Sequence, residues 1–194
     1  MGSKYPIVWL NFTYGIKGFF NGDYNYNRID LKINYSHHFK YLGESKLVIN
    51  AGLIYGQIPI SNLYSGVGSF SRFTIYAPAS FGTMSANEFY SDRYISFFFS
   101  HNFKNLLTDF GKFKPEPVFI TNIVFGAMNN IGNHHNINLK TLENGYYESG
   151  IVIRKLLNLQ IYDIGVGVLY RYGPYGFDTP SKNFAYKISL YYSF

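Results

Sequence analysis

Alternation between apolar and polar positions is the main pattern in this sequence, and it predicts β-strands along most of the chain. From Phe184 onward, one set of alternate positions is entirely aromatic or aliphatic, and the intervening set is mostly small or polar. A period of two is typical of a strand with one apolar and one polar face. Seven earlier segments share this pattern and bring the predicted total to eight strands: about 6–18, 28–38, 46–56, 93–103, 118–128, 146–154 and 161–172.

The predicted strands are long, and their connections alternate in length. Each strand has about 9 to 13 residues, close to the length that crosses a bilayer at a tilt. The long connection 57–92 lies at one end of the strands, and the short connections 40–45 and 155–160 lie at the other, as in outer-membrane barrels. The sequence therefore predicts an all-β fold: an eight-stranded antiparallel transmembrane β-barrel, an up-and-down meander with periplasmic termini.

Composition supports a membrane protein without transmembrane helices. Of the 194 residues, 21% are aromatic and only 14% are charged, which would make a poor water-facing surface. No apolar run reaches the roughly 18 residues of a transmembrane helix. Cysteine is absent, so disulfides and thiolate sites are excluded. The net charge is +6, but the basic residues are scattered, so no nucleic-acid partner is predicted.

The orientation of the two strand faces follows from what each environment accepts. A small barrel has too little interior space for all the rings, whereas glycine and small polar side chains fit there. Outward rings would face lipid and form interfacial girdles, and a closed barrel would satisfy every backbone hydrogen bond. Buried charges need partners, and their mixed signs allow pairing. The predicted interior polar network comprises Arg28, Asp30, Lys32, Glu148, Arg154, Asp163, Arg171 and Lys187.

The chain is expected to form one barrel domain over residues 4–194, with 57–92 as a long extracellular loop. Residues 1–3 have no apolar leader character and look like a cloning remnant, so the signal of an exported natural protein is expected to have been removed. The C-terminal pair Tyr192 and Phe194 is predicted to be an insertion signal for the outer-membrane assembly machinery. Alternatively, Phe194 is the last lipid-facing ring, and both roles are compatible.

A family resemblance lies in the stretch FGTMSANEFYSDRYISFFFSHNF and in the later segments VLYRYGPY and NFAYKISLYYSF. They resemble the C-terminal membrane region of a Bacteroidetes family of outer-membrane proteins of unknown function, which typically carry an N-terminal carboxypeptidase-regulatory-like domain. That region is distantly similar to the surface-antigen, or assembly-insertase, barrels. The resemblance covers most of the chain from about residue 42 and implies location and architecture, but no reaction. Its most specific residues are Phe81, Met84, Glu88, Phe89, Ser91, Asp92 and Tyr94.

The resemblance raises a question of strand number. Barrels of this superfamily typically have about twice as many strands, and insertase barrels fold the loop equivalent to 57–92 back into the lumen. A closed eight-stranded barrel has no room for such a loop. The loop would therefore cap the barrel from outside, a second copy would widen the ring, or strands would be missing from the chain. Self-closure at eight strands is the expectation.

No catalytic, metal or cofactor site is predicted. His134 and His135 are adjacent but lack further ligands at metal spacing, so a polar loop is expected. Ser100 and His101 point to opposite faces of a strand and cannot form a dyad. Glu88, Asp92 and Arg93 are candidates for a latch between loop and wall, or are ordinary residues flanking a strand. The interior charges would line an ion path or, as we expect, fill the interior as a paired network.

The leading functional prediction is an integral outer-membrane barrel without enzymatic activity, which has a structural or scaffold role and surface-exposed loops. One alternative is half of a larger pore or of an assembly-insertase-like barrel. A second alternative is a lipid-modifying enzyme. The expected partners are the lipid bilayer or lipopolysaccharide, for which detergent can substitute, and the outer-membrane assembly machinery during insertion. A monomer is expected rather than a homodimer.

Overall fold

The computed structural model describes residues 5–18, 22–56, 58–108, 113–129, 139–159 and 162–192, and over these the protein is mostly β-strand. Two short 3-10 turns, Ile60–Asn62 and Pro180–Asn183, are the helical elements of the described parts. No helix in the described ranges has the length and apolarity that spanning a membrane requires. The strands are β1 (Ile7–Gly15), β2 (Tyr26–Phe39), β3 (Gly43–Gly56), β4 (Tyr64–Ser65), β5 (Phe73–Ile75), β6 (Tyr90–Ser91), β7 (Arg93–Asn102), β8 (Glu116–Ala127), β9 (Leu142–Leu159), β10 (Tyr162–Tyr172) and β11 (Phe184–Tyr192).

Eight of these strands are long and pair with their neighbours in chain order as an antiparallel meander, β1-β2-β3-β7-β8-β9-β10-β11. The short strand β5 extends the same sheet by pairing in parallel with β11, from Tyr186 opposite Phe73 to Ile188 opposite Ile75. The main sheet therefore has nine strands and mixed pairing. Strands β4 and β6 form a separate small sheet.

The prediction of a closed eight-stranded barrel is not confirmed, because the sheet remains open. Within the described residues, strand β1 pairs with β2 alone, and it does not meet β11. Part of the free edge of β11 is occupied by β5, which comes from the long connection before β7. That connection also packs against the sheet, and an eight-stranded ring has no space for so many residues.

We call residues 58–92 the strap, and the face of the sheet on which it packs the inner face. The strap buries Phe81, Met84 and Phe89 to 1% exposure each, against Phe98 and Tyr146 of the main sheet, which we call the wall. A second cluster joins three strap residues, Ile58, Leu63 and Tyr64, to Ile54 near the end of β3, Met128 just after β8 and Leu139 just before β9. The core of the protein therefore lies between strap and sheet, and the strap does not cap the strand ends from outside.

The outer face carries the rings and aliphatic side chains that the alternation assigns to one side of each strand. In β9, Ile151 is 54% exposed, whereas its neighbour Val152 is fully buried on the inner face. In β10 and β11, Val168 and Tyr186 are opposed on the outer face, while Leu169 and Ala185 are opposed on the inner face and fully buried. In β9, β10 and β11 the inner face is thus covered by protein, and the outer face is apolar and uncovered.

Strand β1 differs from the other long strands because both of its faces are uncovered. Trp9 lies opposite Lys32 on the inner side and is 42% exposed, and Leu10 on the outer side is 70% exposed. Every residue of β1 except Gly15 is exposed. The strap therefore covers the inner face toward β7–β11 and leaves it bare at the β1 edge.

Candidate functional site

The strap is held to the sheet by a buried carboxylate, which is the centre of the candidate site. Glu148 lies on the inner side of β9 and has no exposed surface. Its Oε1 accepts hydrogen bonds from the Gly82 backbone N–H at 2.9 Å and from Asn122 Nδ2 at 2.7 Å. Its Oε2 accepts from the Thr83 N–H at 2.9 Å and from Thr83 Oγ1 at 2.5 Å. Because charge-assisted bonds are about twice as strong as neutral ones, this set is a firm anchor.

An ion pair forms a second anchor beside the first. Arg171 of β10 is 3% exposed, and its Nη2 lies 2.9 Å from Glu88 Oε1 while its Nη1 donates to Glu88 Oε2 at 3.2 Å. Its guanidinium also lies over the rings of Tyr146 and Phe177, at 4.8 and 4.6 Å from their centroids. This bidentate geometry, with aromatic faces beside it, suits a desolvated arginine. Glu88 therefore fixes the later part of the strap to the wall.

A buried lysine provides the third anchor. Lys187 of β11 is 3% exposed, and its Nζ donates to Thr74 Oγ1 at 2.6 Å and to Ser69 Oγ at 3.0 Å. It also donates to the Ser71 carbonyl at 3.3 Å. An ammonium has three donors, so these neutral oxygens meet its hydrogen-bonding capacity without a carboxylate. They hold the part of the strap that delivers β5 to the edge of β11.

The fourth anchor lies on β2, at the beginning of the strap. Arg28 Nε donates to Asp30 Oδ2 at 2.8 Å, and the Tyr64 hydroxyl donates to Asp30 Oδ1 at 2.7 Å. The Arg28 guanidinium lies 4.3 Å from the centroid of the Tyr64 ring. Burial, and secondarily the hydrogen bond to Asp30, raises the pKa of the Tyr64 phenol above its ordinary value. The phenol therefore remains a neutral donor at physiological pH.

The eight residues of the predicted interior network do not form one connected cluster. Five of them belong to the four anchors, and three do not contact the strap through any hydrogen bond or ion pair of the described residues. Lys32 is exposed and lies near the Trp9 ring. Arg154 stacks at 3.5 Å on the ring of Tyr191, and its Nε has no hydrogen-bond partner in the described parts of the chain. Asp163 is buried with its Oδ1 unpaired among the same residues.

Sequence reasoning missed a further ion pair at the short-turn end. Glu116 begins β8 and pairs with Lys155, with 2.5 Å between Oε1 and Nζ, and it also accepts from Asn102 Nδ2 at 2.7 Å. Lys155 has a positive φ of 55° at a bulge in β9, which turns its side chain toward Glu116. A single lysine at the end of an alternating segment does not indicate that a bulge will direct its side chain toward Glu116.

The three residues of the predicted latch have separate roles. Glu88 reaches Arg171 across the inner face. Asp92 Oδ2 accepts from the Asn129 backbone N–H at 2.7 Å and so joins the strap to the end of β8. Arg93 is the first residue of β7 and lies on the outer face, 4.0 Å from Asp92 Oδ1. Tyr192 ends β11, and Phe194 lies outside the described residues.

The geometry around His101 provides no catalytic triad within the described residues. Ser100 lies opposite Lys46 and His101 opposite Ser45, so the two are on opposite faces. His101 Nδ1 is 2.8 Å from Ser45 Oγ, and its Nε2 is 2.9 Å from the Leu42 carbonyl oxygen. A backbone carbonyl therefore takes the place of the carboxylate that orients a catalytic histidine. The described parts also contain no metal-binding group of three acidic, histidine or cysteine side chains, and His134 and His135 fall outside them.

The space enclosed between strap and wall is small. One cavity of about 50 Å³ is lined by Tyr64 and Phe81 of the strap and by Tyr94, Phe98 and Val124 of the wall. That volume accommodates a few water molecules at about 10–15 Å³ each, and it is far below an ordinary ligand pocket. The four anchors therefore hold the strap on the charged inner face of the sheet, and the small cavity beside them is not a ligand pocket.

Comparison with family models, with curated proteins and with solved structures found no match for this chain. The resemblance to a Bacteroidetes outer-membrane family therefore stays a prediction, which rests on the residues in and after the strap.

Proposed function

We propose that this chain is a non-enzymatic wall of a bacterial outer-membrane β-barrel wider than eight strands, with the strap held inside as a fixed filling. One observation carries the proposal: the outer face of the long-stranded meander is apolar, whereas its inner face buries charges that bind the strap. A protein with an aqueous exterior would be expected to have the opposite distribution, because uncovered apolar patches of this extent are rare on soluble monomers.

The lengths and contents of the strands support a membrane position. The long strands have 9 to 18 residues, so each is near or above the length that crosses a bilayer. Most of their outward positions carry rings or aliphatic side chains, which suit contact with lipid. The charges Glu148, Arg171 and Lys187 lie on the inner face, where hydrogen bonds to the strap satisfy them. In hydrocarbon the same charges would cost several kcal/mol each.

The open edge supports a ring wider than this one sheet. An unpaired strand edge in hydrocarbon leaves backbone groups unsatisfied, so β1 needs a partner in a bilayer. The inner face at β1 is also uncovered, so additional strands could pair with β1 and extend the barrel around a wider lumen. The strands that close the ring come from a second copy or from additional polypeptide. The scaffold role with exposed loops remains our leading interpretation, and transport or assembly is the alternative that a wider ring favours.

A fluorescence experiment tests the orientation of the wall. Trp9 is the chain's single tryptophan and lies on the inner side of β1, so the wild type reports the inner environment. A double variant, Trp9→Phe with Leu10→Trp, moves the probe one position, to the outer side. In vesicles, we expect brominated lipid to quench the double variant strongly and the wild type weakly, and iodide to do the reverse.

Both probe positions are already exposed, so neither substitution disturbs a packed core. Equal quenching by iodide at both positions, with the protein in the aqueous fraction, would contradict the membrane proposal. Strong lipid quenching at both positions would contradict a lumen behind β1.

A second measurement tests the ring size. In detergent or lipid, we expect native mass spectrometry of the purified chain to show at least two copies per particle, because each copy has an unpaired β1 edge. This differs from the sequence-based expectation of a monomer. A particle of one copy with eight strands in a closed ring would contradict the wider ring.

Further measurements distinguish the candidate functions. Ion conductance in planar bilayers would favour transport, and an electrically silent particle would favour the scaffold role. Altered lipid products on expression would favour a lipid-modifying enzyme.

A further inference from the structure

The outer face of the wall contains two charges that the membrane proposal does not explain. Strand register assigns the paired residues to a face, and among the outward ones of the described long strands Arg93, at the start of β7, is the one Asp, Glu, Lys or Arg. Glu143 is the other charge. It lies in a bulge near the start of β9, between the paired residues Leu142 and Tyr146, beside outward residues of β7 and β8. Both are at the end of the wall where the long connections lie, which is the level of lipid headgroups in a barrel.

These two side chains line the same groove. It has a volume of about 370 Å³ and is open to the outside. The apolar side of the groove is formed by the cross-strand pair Ile95 and Phe125, and the small residue Ala127 lies opposite Arg93 in the register of β7 and β8.

Arg93 has one weak ion pair within the described residues, and Glu143 has none. The ion-pair contact of Arg93 is with Asp92, whose Oδ1 is 4.0 Å from Nε, at the outer limit of such a contact. The other oxygen of Asp92 is already occupied by the Asn129 N–H. Glu143 is exposed and is in no described ion pair. An unpaired charge on an apolar, lipid-facing surface is unfavourable, so each needs a partner from the membrane itself.

We infer that this groove binds the zwitterionic headgroup of a membrane lipid that carries a phosphate and a primary ammonium. The Arg93 guanidinium pairs with the phosphate, for which its planar donors are suited. The Glu143 carboxylate pairs with the ammonium, and an acyl chain lies along Ile95 and Phe125. This assignment rests on the proposed membrane position of the outer face. It also sets a preference, since a purely anionic headgroup satisfies Arg93 but is repelled by Glu143.

The test measures retained lipid. The chain is reconstituted with equal amounts of phosphatidylethanolamine and phosphatidylglycerol, extracted in mild detergent, and analysed by native mass spectrometry. We expect the wild type to retain phosphatidylethanolamine in preference to phosphatidylglycerol. Arg93→Gln should retain roughly tenfold less of it, the effect of losing one charge-assisted contact. Glu143→Gln should lose the preference between the two lipids while still retaining them.

Arg72→Gln is the matched control, because Arg72 is an exposed arginine of the strap that does not line the groove. It should retain lipid as the wild type does. Flotation with vesicles is measured first for every variant. If the wild type inserts but Arg93→Gln retains the same lipid, or if phosphatidylglycerol is preferred, the inference is overturned and the proposed function stands. If the wild type stays in the aqueous fraction, both are overturned.

Discussion

Replacing Glu148 with alanine is expected to detach the strap from the sheet and to lower the free energy of unfolding by about 2–5 kcal/mol. The carboxylate accepts four hydrogen bonds, and two of the donors are the backbone N–H groups of Gly82 and Thr83. Without it, these two backbone donors lose their acceptor, and the Asn122 amide keeps the Ser80 carbonyl, at 3.0 Å, as its remaining acceptor. Denaturant titration in detergent measures the loss, and amide hydrogen exchange at residues 82 and 83 should accelerate by two or more orders of magnitude.

Two further variants define what the carboxylate contributes. Glu148→Gln keeps the size of the side chain but removes its charge and one acceptor oxygen, so an intermediate loss is expected. Asp178→Ala removes an exposed carboxylate outside the strap and the strands and should change stability by less than about 0.5 kcal/mol. If Glu148→Ala leaves the exchange of residues 82 and 83 as slow as in the wild type, the strap is held by other contacts and the anchor is wrongly assigned.

Replacing Phe81 with alanine is the second large expected effect, and it tests the apolar part of the same attachment. Phe81 is 1% exposed, and its ring centroid lies 4.9 Å from that of Phe98 and 5.4 Å from that of Tyr146. Truncation of such a ring removes apolar contacts and leaves a cavity, for which about 3–5 kcal/mol is typical. The existing small cavity lined by Phe81 would be enlarged rather than filled. Denaturant titration in detergent again measures the loss.

The strap itself supplies the control for this experiment. Phe70 is 95% exposed, so Phe70→Ala changes the same residue type in the same segment without removing a packed contact. We expect Phe70→Ala to unfold at the wild-type denaturant concentration. Equal losses for the two variants would mean that Phe81 is not packed between strap and wall, and the description of the core would then be wrong.

The strand pattern was predictable because alternation is a local property. Each of the eight predicted segments overlaps one of the long strands, and Arg171 and Lys187 are on the inner side, as the register of their neighbours requires. The end of β9 was not predictable. The strand continues to Leu159, because the bulge at Lys155 interrupts the period of two without ending the pairing with β10.

The strap was the largest failure of sequence reasoning, for a physical reason. Phe81, Met84 and Phe89 have no strand or helix periodicity, so nothing in their spacing indicates a packed surface. Their partners are remote in sequence: Gly82 and Thr83 bind Glu148 across more than sixty residues, and Ser69 binds Lys187 across more than one hundred. The alternation of apolar and polar positions identified Glu148, Arg171 and Lys187 as interior groups, but it gave no information about which residues they bind.

The sequence by itself determined which side of each long strand is apolar and that the strands follow one another as a meander, because both depend on residues close together in the chain. Only the tertiary structure decided that the sheet stays open and that its charges bind a segment of the same chain. Those outcomes depend on which segments pack on the inner face and pair with the free edge of β11. The strap occupies the first and β5 the second, and closure at eight strands would require both to be vacant.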